Sequence, residues 1–167
     1  MMQSNRSIKP LLIIIILTSF GMLAGALSAQ HWLGWEPCTL CVQIRLWLVC
    51  SGTAGLLVLM AEQLGIRWAG LPFLAVLLVA SGMAVYDNVH LLLIETGVIE
   101  STSCSPFPFY AFYFPLHEWM PDIFMSAGVC GENDYKIFGL PFSVWTCLSV
   151  TALFVFVVYT LIKALRR

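Results

Sequence analysis

The chain has 167 residues, 60% hydrophobic and only 10% charged, with a formal net charge of -1 at pH 7. An ordinary soluble domain carries about 25% charged residues, so this composition excludes one and makes lipid the main solvent. The charge balance gives no footing for a nucleic-acid partner.

Taken in chain order, Arg6 and Lys9 precede an uncharged run from Leu11 to Ala29. Its length is close to the roughly 20 residues that carry a helix across a hydrocarbon core. Ala26-Leu27-Ser28-Ala29 resembles a signal-peptide cleavage site, but the run exceeds the roughly 7–15 apolar residues of a signal core. A retained first helix is therefore expected, over about 11–29. Gly21 and Gly25 form a GxxxG spacing, which predicts close approach of a neighbouring helix there. Three further apolar stretches predict helices at about 41–61, 68–90 and 142–162. Lipid offers no hydrogen-bond partner to loose backbone, so spanning segments are helices or closed barrels. The short alternating strands of a barrel are not present. The expectation is an all-α membrane protein, a single domain over 1–167. It would be a four-transmembrane-helix bundle with two periplasmic loops, about 30–41 and 95–141.

Arg6, Lys9, Arg67, Lys163, Arg166 and Arg167 fall on one side if all four helices span. By the positive-inside rule that side is the cytoplasm, with both termini on it. In the second outside loop, Phe107, Phe109, Tyr110, Phe112, Tyr113 and Phe114 crowd together, and aromatic residues favour the membrane interface. Leu116–Met120 and Ile123–Met125 are expected to form short interfacial helices.

Cysteines carry the chemistry. Cys38 and Cys41 lie where the first outside loop meets helix two, and Cys104 and Cys130 lie in the second outside loop. Cys50 and Cys147 sit inside apolar spans, as packing residues. An extracytoplasmic site permits disulfides. These are either structural bridges or redox pairs. Cys38-Thr39-Leu40-Cys41 follows Glu36-Pro37 and opens a helix. Proline is favoured at the first helical position, and a helix N-terminus stabilises a thiolate. Arg45, four residues after Cys41, shares its helical face and adds a fixed positive charge. A purely structural bridge gains nothing from a stabilised thiolate. Arg45 at a helix end has a second reading, a side chain snorkelling to headgroups. Cys104 sits in a Ser/Thr/Pro-rich segment and Cys130 between glycines, which suits an exchangeable bridge or a loop closure. His90, near the outer end of helix three, is a candidate hydrogen-bond donor to a ligand beside Cys41, and Asp87 lies near it.

Four helices, Pro37-Cys38-Thr39-Leu40-Cys41 opening the second, Arg45 after it, and Cys104 with Cys130 in the next outside loop resemble the bacterial disulfide bond formation protein B family. The resemblance covers essentially the whole chain; Tyr86-Asp87-Asn88-Val89-His90 departs from the family's helix-three region. It implies an inner-membrane dithiol:quinone oxidoreductase. A reduced DsbA-like periplasmic oxidase would attack Cys104 and displace Cys130. Electrons would pass to a Cys38–Cys41 disulfide, and Cys41, beside Arg45, would donate to ubiquinone or menaquinone from the membrane pool. No metal is implied.

Three other readings compete. A vitamin K epoxide reductase homologue shares the helix count but carries its CxxC after the loop pair, the reverse of the order here. Four outside cysteines could hold zinc, though Cys41 and Cys104 are far apart in sequence and a second CxxC is lacking. Inert structural bridges are the third.

Overall fold

The computed structural model describes residues 7–99, 116–126, 128 and 135–166. Four long helices, α1 (Lys9–Leu33), α2 (Thr39–Gln63), α3 (Arg67–Glu95) and α6 (Phe142–Leu165), form the bundle. Between α3 and α6 lie two one-turn helices, α4 (Leu116–Trp119) and α5 (Pro121–Phe124), then the strands β1 (Lys136–Ile137) and β2 (Leu140–Pro141). Each long helix is apolar enough to cross a membrane. At about 1.5 Å per residue each is also longer than a hydrocarbon core of about 30 Å.

Side-chain distribution follows from a lipid solvent. Ile13, Ile14 and Leu17 on α1, Val76 and Val79 on α3, and Val155 on α6 face outward. The interior joins Leu12, Ile15, Leu48, Val58, Leu77, Val150 and Val157 with the fully buried hydroxyls of Ser19, Ser51, Ser81 and Thr160. Small polar residues suit membrane interfaces, because they let backbones approach and bond locally. Thr160 Oγ1, for example, donates to the Phe156 carbonyl at 2.8 Å.

The close approach between α1 and α2 is made from the α2 side. A methyl on Gly52 would lie 2.7 Å from the Phe20 ring, and one on Gly55 would lie 3.0 Å from Ile16 Cγ1. This corrects the expectation for Gly21 and Gly25, where an added methyl meets nothing within 4 Å. The two glycines have the right spacing, but the stripe of α1 that meets α2 runs through Ile16 and Phe20.

Helix ends are set by caps and not by hydropathy, so the helices outrun their apolar stretches. α1 continues to Leu33 and stops at Gly34, whose φ of 67° is left-handed, a conformation glycine adopts without steric cost. Only residues 34–38 connect α1 to α2. Gly65, with φ of 75°, turns the chain between α2 and α3. Connections this short make neighbouring helices antiparallel. Lys163 Nζ donates to the Ser7 carbonyl at 3.4 Å, so α1 begins at the end of the bundle where α6 finishes.

In the second loop, Phe124 of α5 is buried against Val42 of α2, with Leu46, Leu116 and Ile123 around them. The 107–114 aromatic run lies outside the described residues. The β1–β2 hairpin was not foreseen in the sequence. Its turn is Phe138-Gly139, with φ of 52° and 81°, the pattern of a two-residue hairpin turn.

Candidate redox site

The α2 N-terminus is built by Cys38. Its backbone is extended (φ -75°, ψ 168°), its carbonyl accepts the first helical bond from Val42 at 3.1 Å, and its sulfur accepts from the Cys41 N–H at 3.4 Å. Thus Cys38 is the cap itself. Pro37 stands before the cap and not at the first helical position expected for it. One helical turn brings Cys41 back over Cys38, with the two sulfurs 2.7 Å apart. Cys38 is almost fully buried among Leu40, Leu91 and Ile94. Its thiol is held well above the ordinary thiol range, chiefly by the hydrogen bond with Cys41, then by burial. Its position at a helix N-terminus therefore does not make Cys38 a thiolate.

Arg45 follows Cys41 by one turn and is buried, with 5% of its surface exposed. Nη1 donates to Gln30 Oε1 at 2.5 Å and to the Ile123 carbonyl at 3.0 Å, and Nη2 donates to the Ala26 carbonyl at 3.5 Å. Gln30 Nε2 in turn donates to the Asp122 carbonyl at 3.3 Å. Arg45 does not snorkel: α1 and α5 hold it inside the protein. Among the described residues, its buried Nε has no acceptor.

Cys38, Cys41 and Arg45 all line one cavity of about 550 Å³ at this end of the bundle. α1 gives it a low wall of Gly25, Ala26 and Ala29; α3 contributes Asn88, Leu91 and Glu95; α6 contributes Ser143, Thr146 and Ser149. Glu95 accepts a hydrogen bond from the buried Ser143 hydroxyl. Asn88 Nδ2 donates to Thr146 Oγ1 at 2.9 Å. At the mouth, Trp35 stacks on Tyr135 (centroids 4.7 Å apart) and meets Phe142 edge-on at 5.3 Å. The Glu36 N–H donates to Tyr135 Oη at 3.1 Å, tying the first connection to the second.

Other sequence-predicted residues fall elsewhere. His90 is not on the cavity wall; it stacks against Tyr86 at 6.3 Å. It is two positions from Asn88, about 200° around the helix, so the face that presents Asn88, Leu91 and Glu95 turns His90 away. Asp87 is buried and accepts from Trp47 Nε1 at 2.7 Å, joining α2 to α3. Cys50 and Cys147 are half-buried in α2 and α6, off the cavity. Cys104 and Cys130 lie outside the described residues. Gly128, two positions before Cys130 in sequence, pairs with Cys38 as an isolated parallel bridge, and its N–H donates to the Pro37 carbonyl at 3.1 Å.

Sequence reasoning missed Gln30, Glu95, Ser143, Trp35 and Tyr135. For Glu95 a signal existed: a carboxylate closing an apolar span is unusual enough to suggest function.

The chain is similar to known proteins over most of its length. The family model of disulfide bond formation protein DsbB matches residues 8–160. A disulfide bond formation protein B from Shewanella loihica is 30% identical over 154 residues, covering 91% of this chain and 88% of the relative. One from Ralstonia nicotianae is 30% identical over 167 residues, covering 99% and 100%. A disulfide bond formation protein B 2 from Pseudomonas aeruginosa is 32% identical over 136 residues, covering 81% and 77%.

Proposed function

Since the chain belongs to the DsbB family of disulfide bond formation proteins, a multi-pass membrane family with the four-helix bundle described above, we propose that it reoxidises a DsbA-like periplasmic dithiol and passes the electrons to a membrane quinone. The observation that carries this reading is the placing of Cys38, Cys41 and buried Arg45 on one apolar cavity inside a membrane bundle.

The wall suits a quinone. A quinone headgroup is flat, apolar and an acceptor only, and Arg45 Nε–H is a buried donor with no acceptor among the described residues. A bound quinone supplies the acceptor of two electrons and two protons. Arg45 would hold a quinone oxygen, where a fixed cation helps most as negative charge develops. Cys41 is partly exposed and lines the cavity, and is the sulfur that gives up the electron pair. Cys38 is buried behind it and exchanges with the loop pair.

At the partner's side, a thiolate of the DsbA-like protein attacks Cys104, forming a mixed disulfide and releasing Cys130 as a thiolate. Cys130 then attacks Cys38, breaking Cys38–Cys41 and freeing Cys41. The second partner thiol completes the partner's disulfide and frees Cys104, which attacks Cys130, re-forming Cys104–Cys130 and releasing Cys38, so that Cys38 and Cys41 are left reduced. The Gly128–Pro37 bond supports this exchange, because two residues of chain span at most about 7 Å.

We place the protein in the bacterial inner membrane as a single domain. The end carrying Ser7 and Lys163 is cytoplasmic by the positive-inside rule, and the cysteine end is periplasmic. The test is anaerobic quinone reduction by purified protein with a reduced DsbA-like partner, repeated with Cys41→Ser. Catalytic loss of quinone absorbance that needs both partner and Cys41 is expected. No loss with ubiquinone or menaquinone, in folded protein that still traps the partner on Cys104 as Cys130→Ser, would assign another acceptor.

A further inference from the structure

Forming one disulfide from two thiols releases two electrons and two protons, and a quinone that becomes a quinol takes up both. The electrons have a route through sulfur. The protons need groups that gain and lose them at the same place. Arg45 does not serve, because guanidinium stays protonated in proteins.

Among the described residues, the other ionisable groups on the wall can be followed element by element. α1 and α6 contribute none. α2 contributes Cys41 and Arg45, the 34–38 connection contributes Glu36 and Cys38, and Tyr135 lies at the mouth. α3 contributes Glu95. Glu36 is exposed and Glu95 is half-buried. Glu95 is held by Ser143, a neutral hydroxyl that fixes the carboxyl group without neutralising it. It lines the same cavity as Cys38, and its helical neighbours Leu91 and Ile94 pack on Cys38.

We propose that Glu95 is a catalytic proton carrier of this site, with Ser143 as its positioning residue. The inference rests on the quinone-linked reading above. When Cys38 and Cys41 are reduced, the thiol proton of Cys38 passes to the Glu95 carboxylate: the S–H bond breaks and a carboxyl O–H forms. The Cys38 thiolate then closes the disulfide with Cys41, whose electron pair leaves for the quinone. Glu95 gives its proton to a reduced quinone oxygen and returns to carboxylate. The second proton leaves Cys41 for water, and the second quinol proton enters from water, so the count closes at two electrons and two protons.

The test uses full-length protein in micelles with three variants, Glu95→Gln, Glu95→Asp and Ser143→Ala. In Glu95→Gln, kcat for quinone reduction should fall by about 10²-fold, the usual contribution of a positioned general acid–base. KM for quinone and trapping of the partner on Cys104 should stay near wild type. Glu95→Asp should recover part of kcat, and Ser143→Ala should move the limb of the kcat–pH profile that Glu95→Gln abolishes. A second readout needs no quinone: reduced-minus-oxidised infrared spectra of quinone-free protein should show a shifted carboxylate band, from the Cys38 thiol formed in the same cavity, that Glu95→Gln removes. Wild-type turnover with an unchanged pH profile and kcat within twofold in folded Glu95→Gln would overturn the proposal. If Glu95→Gln does not fold, Ser143→Ala decides, and an unmoved pH limb overturns it. If wild type reduces no quinone, the functional reading fails by itself; the infrared band then decides separately whether Glu95 responds to the cysteine pair, and its absence overturns the proposal.

Discussion

Gln30 on α1 and Arg45 on α2 share a 2.5 Å hydrogen bond, and between them they bind two successive carbonyls of α5, Asp122 and Ile123. The cation beside the CxxC is therefore also the anchor of the second loop.

Removing either member should release α5. Gln30→Ala is expected to cost about 1–2 kcal/mol, since it leaves buried donors and acceptors unmade. Hydrogen exchange of amides 116–125 should quicken in micelles. Arg45→Met should do the same and also raise the KM for quinone. An unchanged KM together with unchanged turnover would remove Arg45 from the site.

Trp47 and Asp87 form the buried staple between α2 and α3. Trp47→Phe strands the Asp87 carboxyl and should lower stability by about 1–3 kcal/mol. Adding Asp87→Leu should recover part of that loss. Thermal unfolding of both singles and the double gives the coupling as a double-mutant cycle.

Glycine positions give a sharp contrast. Gly55→Leu must displace Ile16, 3.0 Å from the added methyl, and should destabilise by about 1–3 kcal/mol as an overpacked core does. Gly21→Ala meets nothing and should leave thermal unfolding unchanged.

Gly25 separates stability from binding. An added methyl there meets nothing within 4 Å, and the position lines the cavity. Gly25→Leu should fold like wild type and raise the KM for quinone severalfold in the steady-state assay.

Much of this was legible beforehand, and the failures have physical causes. Hydropathy shows four spans because lipid imposes length and composition. The spacing of Cys38, Cys41 and Arg45 shows one helical face. Helix ends escaped because Gly34 and Cys38 set them by backbone geometry. Gly21 and Gly25 misled because spacing does not reveal which face meets a neighbour. His90 lies off the cavity wall for the same reason, since Asn88 and Glu95 hold the inward face. Gln30 and Glu95 act through partners distant in sequence, Asp122 and Ser143, which no local pattern encodes.

The Cys38 thiol gives a pH prediction. Its hydrogen bond with Cys41 and its burial favour the neutral form. In quinone-free reduced protein at pH 8, mass-mapped alkylation of Cys38 should therefore run slower than that of a free thiol. The linkage has a definite sign. Stability from this group is fully present below the ordinary thiol pKa of about 8.5. Above it the unfolded chain loses its proton first, so stability of the reduced protein falls until Cys38 itself ionises. A flat stability profile across that alkaline window would contradict it.

Cys38, a sulfur of the proposed exchanging pair, is also the cap of α2, with its side chain bound to the Cys41 amide. Whatever changes the bonding of that sulfur changes the boundary condition of a membrane-spanning helix. In the proposed relay, electron flow through the pair would thereby also be a mechanical signal, written into the first turn of α2 and carried to α3 through the Leu91 and Ile94 side chains resting on Cys38.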